Sequence, residues 1–244
     1  MTLLILGGTG EARAMAERLA GCDAVVSLAG ATQTPVAQVL PFRTGGFGGS
    51  QGFVRYLEEA GITAVLDLTH PYAQRISART AGICADLGLP HLQYLRPPWQ
   101  PQTGDDWVTV DDLADVTAHV RPGQTVFVAS GRKTLAQFAG LQGCRVIFRQ
   151  VDPPDKPFPL PGGEYLIGRP PFSVEDEHSL FTRLHVDWLV CKNAGWGPSA
   201  AKLTAARALG IPVIMLNRPS PGNWHVTDDI AMAENWARAQ CMSG

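Results

Sequence analysis

The stretch that most constrains this chain lies at its start. Residues 3–6, Leu-Leu-Ile-Leu, form an apolar run of strand length, and Gly7, Gly8 and Gly10 follow with no linker. From Glu11 onward the residues are mostly strong helix formers: Ala12, Ala14, Met15, Ala16, Glu17, Arg18 and Leu19. A buried strand, a glycine turn and a helix whose unpaired N–H groups face that turn make an anion site. Glycine lets the backbone approach a phosphate, and the helix dipole favours negative charge there. The dinucleotide fingerprint is incomplete. Arg13 stands where a third glycine would be, and no carboxylate closes the next strand, residues 24–28, to take a ribose 2′-hydroxyl. Ser27, Gly30 and Thr32 close or follow that strand instead. Without the carboxylate the site would not repel a 2′-phosphate, which favours NADP over NAD if either binds. A tight turn with no ligand is the alternative.

With 244 residues the chain has room for one large domain or two small ones. A net charge of −2 argues against a dedicated nucleic-acid binder. The N-terminus has no basic segment and its apolar run stops at Gly7, so no signal peptide is expected. No apolar stretch approaches the roughly 18 residues that span a bilayer, so no membrane association is expected. Cys22, Cys84, Cys144, Cys191 and Cys241 are scattered, odd in number and without a C-x-x-C pair, as in a reducing, cytoplasmic setting. The histidines lack metal-ligand spacing, and no metal site is expected.

Strand and helix patterns alternate along the whole chain, the signature of an α/β protein. In the first part, strands are expected at 24–28, 63–68 and 91–95, and helices at 53–60 and 72–87, the second started by Pro71 and stopped by Gly88. Residues 35–51, centred on Arg43-Thr-Gly-Gly-Phe-Gly-Gly49, read either as a flexible linker or as a backbone surface against a flat ligand. Arg96-Pro-Pro-Trp99 breaks the pattern and sets expected domains of 1–98 and 99–244. Beyond it, strands are expected at 107–110, 125–129, 145–149, 188–191 and 213–216, with a proline-rich loop at 151–163. Helices are expected up to Val120, from a Ser173 cap to Leu184, at 199–209 and at 228–240.

The segments Ile5-Leu-Gly-Gly-Thr-Gly-Glu-Ala-Arg13, Ser27-Leu-Ala-Gly30, Arg43-Thr-Gly-Gly-Phe-Gly-Gly49, Asp67-Leu-Thr-His-Pro-Tyr-Ala73, Gly168-Arg-Pro-Pro-Phe172, Lys192-Asn-Ala-Gly195 and Arg218-Pro219 occur in order over nearly the whole chain. This ordered set resembles the precorrin-6A reductases of corrin-ring (vitamin B12) biosynthesis. Trp196 departs from it, at a position where the family more often carries glycine. The resemblance implies two Rossmann-like α/β domains, each a mostly parallel sheet flanked by helices, with the active site in the cleft between them. It implies NADPH as hydride donor and the tetrapyrrole precorrin-6A as acceptor. Hydride goes to C19 of the C18=C19 double bond and a proton to the neighbouring carbon, giving precorrin-6B. Anaerobic-pathway relatives act on the cobalt-containing macrocycle. Hand-over of product to the next pathway enzyme is a further implication.

On this resemblance, Gly8, Thr9, Gly10, Glu11 and Ala12 hold the pyrophosphate, with Glu11 turned to a ribose or to Arg13, or simply capping the helix. Ser27, Gly30 and Thr32 lie where the adenosine ribose or its phosphate should be. A flat ring with several carboxylates needs dispersed cations and glycine backbone, for which Arg43, Gly45, Gly46, Arg132, Lys133, Lys192, Asn193, Lys202 and Arg218 are the candidates. His70, Tyr72 and Lys192 are the candidate proton donors. Three rivals are weaker. A short-chain carbonyl reductase needs a lysine four residues after a tyrosine, but Ala60, Ile76, Pro98 and Arg169 occupy those places. A non-catalytic dinucleotide sensor leaves the second-half loops unexplained. A methyltransferase would want an acid after the second strand.

Overall fold

The computed structural model describes residues 1–30, 39–195 and 197–242; Thr32 and Trp196 lie outside the described residues. The chain forms two compact units, one of residues Met1–Pro97 with Pro219–Gly244 and one of Pro98–Arg218. Each carries a six-stranded sheet in which every pairing is parallel.

The first unit begins β1 (Thr2–Leu6), α1 (Gly10–Arg18), β2 (Ala24–Leu28), β3 (Phe42–Thr44), α2 (Gly49–Glu59), β4 (Ile62–Asp67), α3 (Gln74–Leu87) and β5 (His91–Tyr94). The second holds β6 (Trp107–Val110), β7 (Thr125–Ala129), β8 (Arg145–Gln150), β9 (Glu164–Ile167), α4 (Val174–Leu184), β10 (Trp188–Lys192), α5 (Ala201–Leu209) and β11 (Val213–Leu216). The chain then returns to the first unit with β12 (Val226–Thr227) and α6 (Ile230–Met242).

The strand orders are β12-β5-β4-β1-β2-β3 and β6-β11-β10-β7-β8-β9. Strands covered on both faces read as continuous apolar runs. Leu3 and Ile5 enter one core and Leu4 and Leu6 the other, all at 1% exposure or less. In the second unit, Phe127 meets Phe181 edge-to-face at 5.0 Å, while Phe138 and Phe148 fill the opposite face. The chain order reverses beside β1 in one sheet and between β7 and β10 in the other. Open parallel sheets bind ligands at the carboxyl ends of strands at such reversals.

The expected second domain of 99–244 is corrected by the return of residues 219–244. β12 pairs with the edge of β5, and Ala233 and Ala237 of α6 are fully buried against Leu3, Ile5 and Leu66. Strand β3 lies inside the glycine-rich segment, and β9 directly after the proline-rich loop. The turns after β6 and β7 are 3-10 helices, Leu113–Ala118 and Arg132–Phe138, the first in place of the longer helix expected up to Val120. Helix α4 has the expected cap: Ser173 and Asp176 bond each other's backbone N–H.

Helix α2 starts at Gly49, inside the glycine run. A Cβ at Gly52 would sit 1.8 Å from the Phe47 carbonyl oxygen, so only glycine fits. Gly52→Ala should therefore cost roughly 1–3 kcal/mol through overpacking against backbone. The measurement is a lower urea midpoint at unchanged slope. Among the described residues no helix is long and apolar enough to cross a membrane.

Candidate active site

In the first unit the β1–α1 turn is shaped for close backbone approach. A Cβ on Gly7 would meet Val26 Cγ1 at 3.1 Å, and Gly8 has a φ of 112° that side chains rarely adopt. Thr9 caps α1. Its hydroxyl accepts the Ala12 N–H at 3.1 Å and donates to the Leu68 carbonyl at 2.8 Å, tying this turn to the end of β4. The Ala12 N–H is thus already engaged, which narrows the expected phosphate contacts to the backbone of Gly8, Thr9, Gly10 and Glu11.

Glu11 turns neither to Arg13 nor outward. It is 7% exposed, and its Oε1 accepts from Arg96 Nη1 at 2.6 Å. A carboxylate in the first turn suits the helix dipole but opposes a phosphate, and Arg96 neutralises it. Thr9, Glu11, Leu68, Thr69, Pro71, Tyr94 and Arg96 line one crevice at the ends of β1, β4 and β5. Burial, then the Glu11 charge, pushes the Tyr94 hydroxyl above its usual range.

A network that the sequence reading missed supports the loop after β4. Asp67, fully buried, accepts the Thr69 N–H at 2.9 Å. The Thr69 hydroxyl meets Ser77 Oγ at 3.2 Å, Ser77 accepts from Gln93, and Gln93 accepts from the Trp224 indole at 2.7 Å. This network anchors the strand-end backbone from which His70 and Tyr72 project. The Tyr72 N–H donates to His70 Nδ1 at 3.3 Å, which favours the ring that is unprotonated at that nitrogen. Helix α3 accordingly starts at Gln74, two residues after its expected start, because Ala73 N–H turns back to the His70 carbonyl.

At the ends of β2 and β3, Ser27 pairs in register with Arg43. Arg43 Nη1 donates to Ser27 Oγ at 2.8 Å and to the Gly45 carbonyl at 3.0 Å, and Nη2 donates to the Gly46 carbonyl. Gly30 has a φ of 68° and lies against Gly45.

In the second unit Lys192 ends β10, while Arg132 and Lys133 are exposed just past β7. Burial, and then the charge of Lys133, holds the Lys192 ammonium below the usual lysine range. Arg218 Nε donates to the Asn193 carbonyl at 2.6 Å. These cations gather at the strand ends where the second sheet reverses. Two of the expected substrate contacts have partners within the second unit. The Asn193 amide accepts the Trp99 N–H at 2.8 Å and donates to the Trp99 carbonyl at 3.0 Å, so both its ends pin that backbone. Lys202 is 9% exposed, donates to the Ser199 carbonyl and lies 4.8 Å from the Trp99 ring centroid. Burial lowers its pKa. Among the described residues no three potential metal ligands cluster.

The family model for precorrin-6x reductase CbiJ/CobK matches residues 2–238. A precorrin-6A reductase of Rhodobacter capsulatus is 44% identical, covering 89% of this chain and 88% of its own. One from Rhodococcus erythropolis is 43% identical over 96% of both chains. Relatives named cobalt-precorrin-6A reductase match at 25% to 28% identity. The solved structure of a CobK precorrin-6A reductase superposes with a TM-score of 0.93 at 40% identity, covering 98% of this chain and 97% of the other. With sequence and fold in agreement over nearly the whole chain, it belongs to the precorrin-6x reductase CbiJ/CobK family.

Proposed function

We propose that this protein reduces the C18=C19 double bond of precorrin-6A to give precorrin-6B, with NADPH as the donor. The observation that carries the proposal is the family match over residues 2–238. The glycine turn after β1 and the cations after β7 and β10 suit the two reactants. A bound nicotinamide supplies the hydride, which leaves binding, alignment and protonation to the chain's own residues. Gly8, Thr9, Gly10 and Glu11 hold the pyrophosphate through the backbone, with the Glu11 charge cancelled by Arg96. Arg132, Lys133 and Arg218 take acetate and propionate carboxylates of the macrocycle.

Lys192 delivers the proton to the carbon beside the one that takes the hydride. Its lowered pKa makes it a better acid than an ordinary lysine. His70 suits that role less, because an imidazolium would have to give up the bond its Nδ1 accepts from Tyr72. His70 and Tyr72 instead line the strand end. The metal-free macrocycle is preferred because the relatives named for it are the more similar set.

The test mixes purified protein and precorrin-6A with NADPH, or with NADH as control. Loss of the reduced-nicotinamide band near ~340 nm, with a blue shift of the macrocycle, is the expected result. Turnover of the cobalt-containing macrocycle alone would move the enzyme to the other pathway branch. Binding of neither macrocycle would overturn the proposal in favour of a dinucleotide sensor.

A further inference from the structure

We propose that Arg43 and Ser27 form the subsite that recognises the 2′-phosphate of the cofactor, so that Arg43 sets the preference for NADPH over NADH rather than binding the macrocycle. The inference rests on the NADPH reading above and gives that reading a residue. In a parallel nucleotide-binding sheet, the end of the strand after the glycine turn is where the adenosine ribose lies, and the group there decides between 2′-hydroxyl and 2′-phosphate. That strand is β2, and it closes with Ser27 at 5% exposure and no acid.

Arg43 reaches the same place from β3, whose register sets it directly beside Ser27. Its guanidinium is held from three sides. Ser27 Oγ and the Gly45 and Gly46 carbonyls take three of its five N–H donors. The Phe47 ring supports it at 4.1 Å and the Tyr56 ring at 5.1 Å. The carbonyls and rings fix orientation without neutralising the charge, and among the described residues Arg43 has no carboxylate partner. The result is an oriented, uncompensated cation on a rigid frame. A fork of this kind fits a phosphate monoester dianion, whereas a neutral ribose hydroxyl would leave its charge unmatched. The two loops that frame it touch: a Cβ on Gly30 would lie 3.5 Å from the Gly45 nitrogen.

The experiment compares binding of 2′,5′-ADP and of ADP to the full-length protein by calorimetry, beside steady-state KM values for NADPH, NADH and the macrocycle. The wild type should bind 2′,5′-ADP more tightly than ADP. Arg43→Met should weaken 2′,5′-ADP binding and raise the NADPH KM by about 10- to 100-fold, the scale of one lost charge-assisted contact. ADP binding and the KM for the macrocycle should stay as they were. Arg43→Lys, which keeps the charge but not the fork, should fall between, and it serves if the methionine variant does not fold. A wild-type preference for 2′,5′-ADP that survives both substitutions overturns the assignment and leaves the NADPH reading intact. So does a rise in macrocycle KM with nucleotide binding unchanged, which would return Arg43 to the substrate. A wild type without any preference for 2′,5′-ADP overturns the NADPH reading, and the subsite with it.

Discussion

Arg96→Met should destabilise the protein by about 3–5 kcal/mol, the cost of stranding a buried charge, and should weaken NADPH binding on the order of tenfold or more. Both effects come from Glu11. Its carboxylate is buried in the first turn of α1, one oxygen on Arg96 at 2.6 Å and the other with no partner among the described residues. Removing the guanidinium leaves an unpaired charge out of water and turns it against the phosphate that the same turn would hold. The double variant Glu11→Gln/Arg96→Met separates charge from packing. It should recover much of the stability and most of the NADPH affinity, because a neutral amide costs less to bury and does not repel phosphate. Chemical denaturation and nucleotide titration of the two variants give the answer. A single variant as stable as the parent would show that the pair carries no buried charge. A double variant no better than the single would assign the loss to the shape of the Arg96 side chain.

That pair also marks where sequence reading stops. The strands at the centre of each sheet were legible because burial on both faces leaves a local trace, as in Leu3–Leu6 or Val126–Val128, all at 1% exposure or less. Strand ends were legible for the same reason, which is why the glycine turn, His70, Tyr72 and Lys192 could be placed at carboxyl edges. Strands β3, β9 and β12 left little trace. Phe42-Arg-Thr and Val226-Thr are too short for a period, and their pairing depends on neighbours supplied by distant sequence. The partner of Glu11 is 85 residues away, and the Trp99 backbone that occupies Asn193 is 94 residues away. Neither separation has any local signature. Lys202 is a related case: a lysine on a short helix reads as a surface cation until Trp99 is folded over it. The return of the chain after Arg218 is a topological choice, visible only once the edge of β5 is seen to need a partner.

Lys192→Met should lower kcat by about 10²- to 10⁴-fold, the usual range for losing a positioned acid, with a smaller rise in the KM for the macrocycle. The pH profile distinguishes this role from a purely electrostatic one. Burial and Lys133 both weaken the hold of Lys192 on its proton. The protonated, active form is therefore lost as pH rises through a value below the ordinary lysine pKa of about 10.4. The wild-type rate should fall along that alkaline limb. Lys133→Met removes the repulsion, so the limb should move to higher pH, and added salt should move it the same way by screening the exposed Lys133. Lys192→Arg keeps the charge but cannot lose its proton in this range. It should bind the macrocycle nearly as well as the parent, turn over slowly and show no such limb. If Lys192→Arg instead retains full kcat, the ammonium only neutralises a carboxylate. Proton delivery then belongs to solvent or to the His70–Tyr72 loop, and the response of the limb to Lys133→Met would report binding alone.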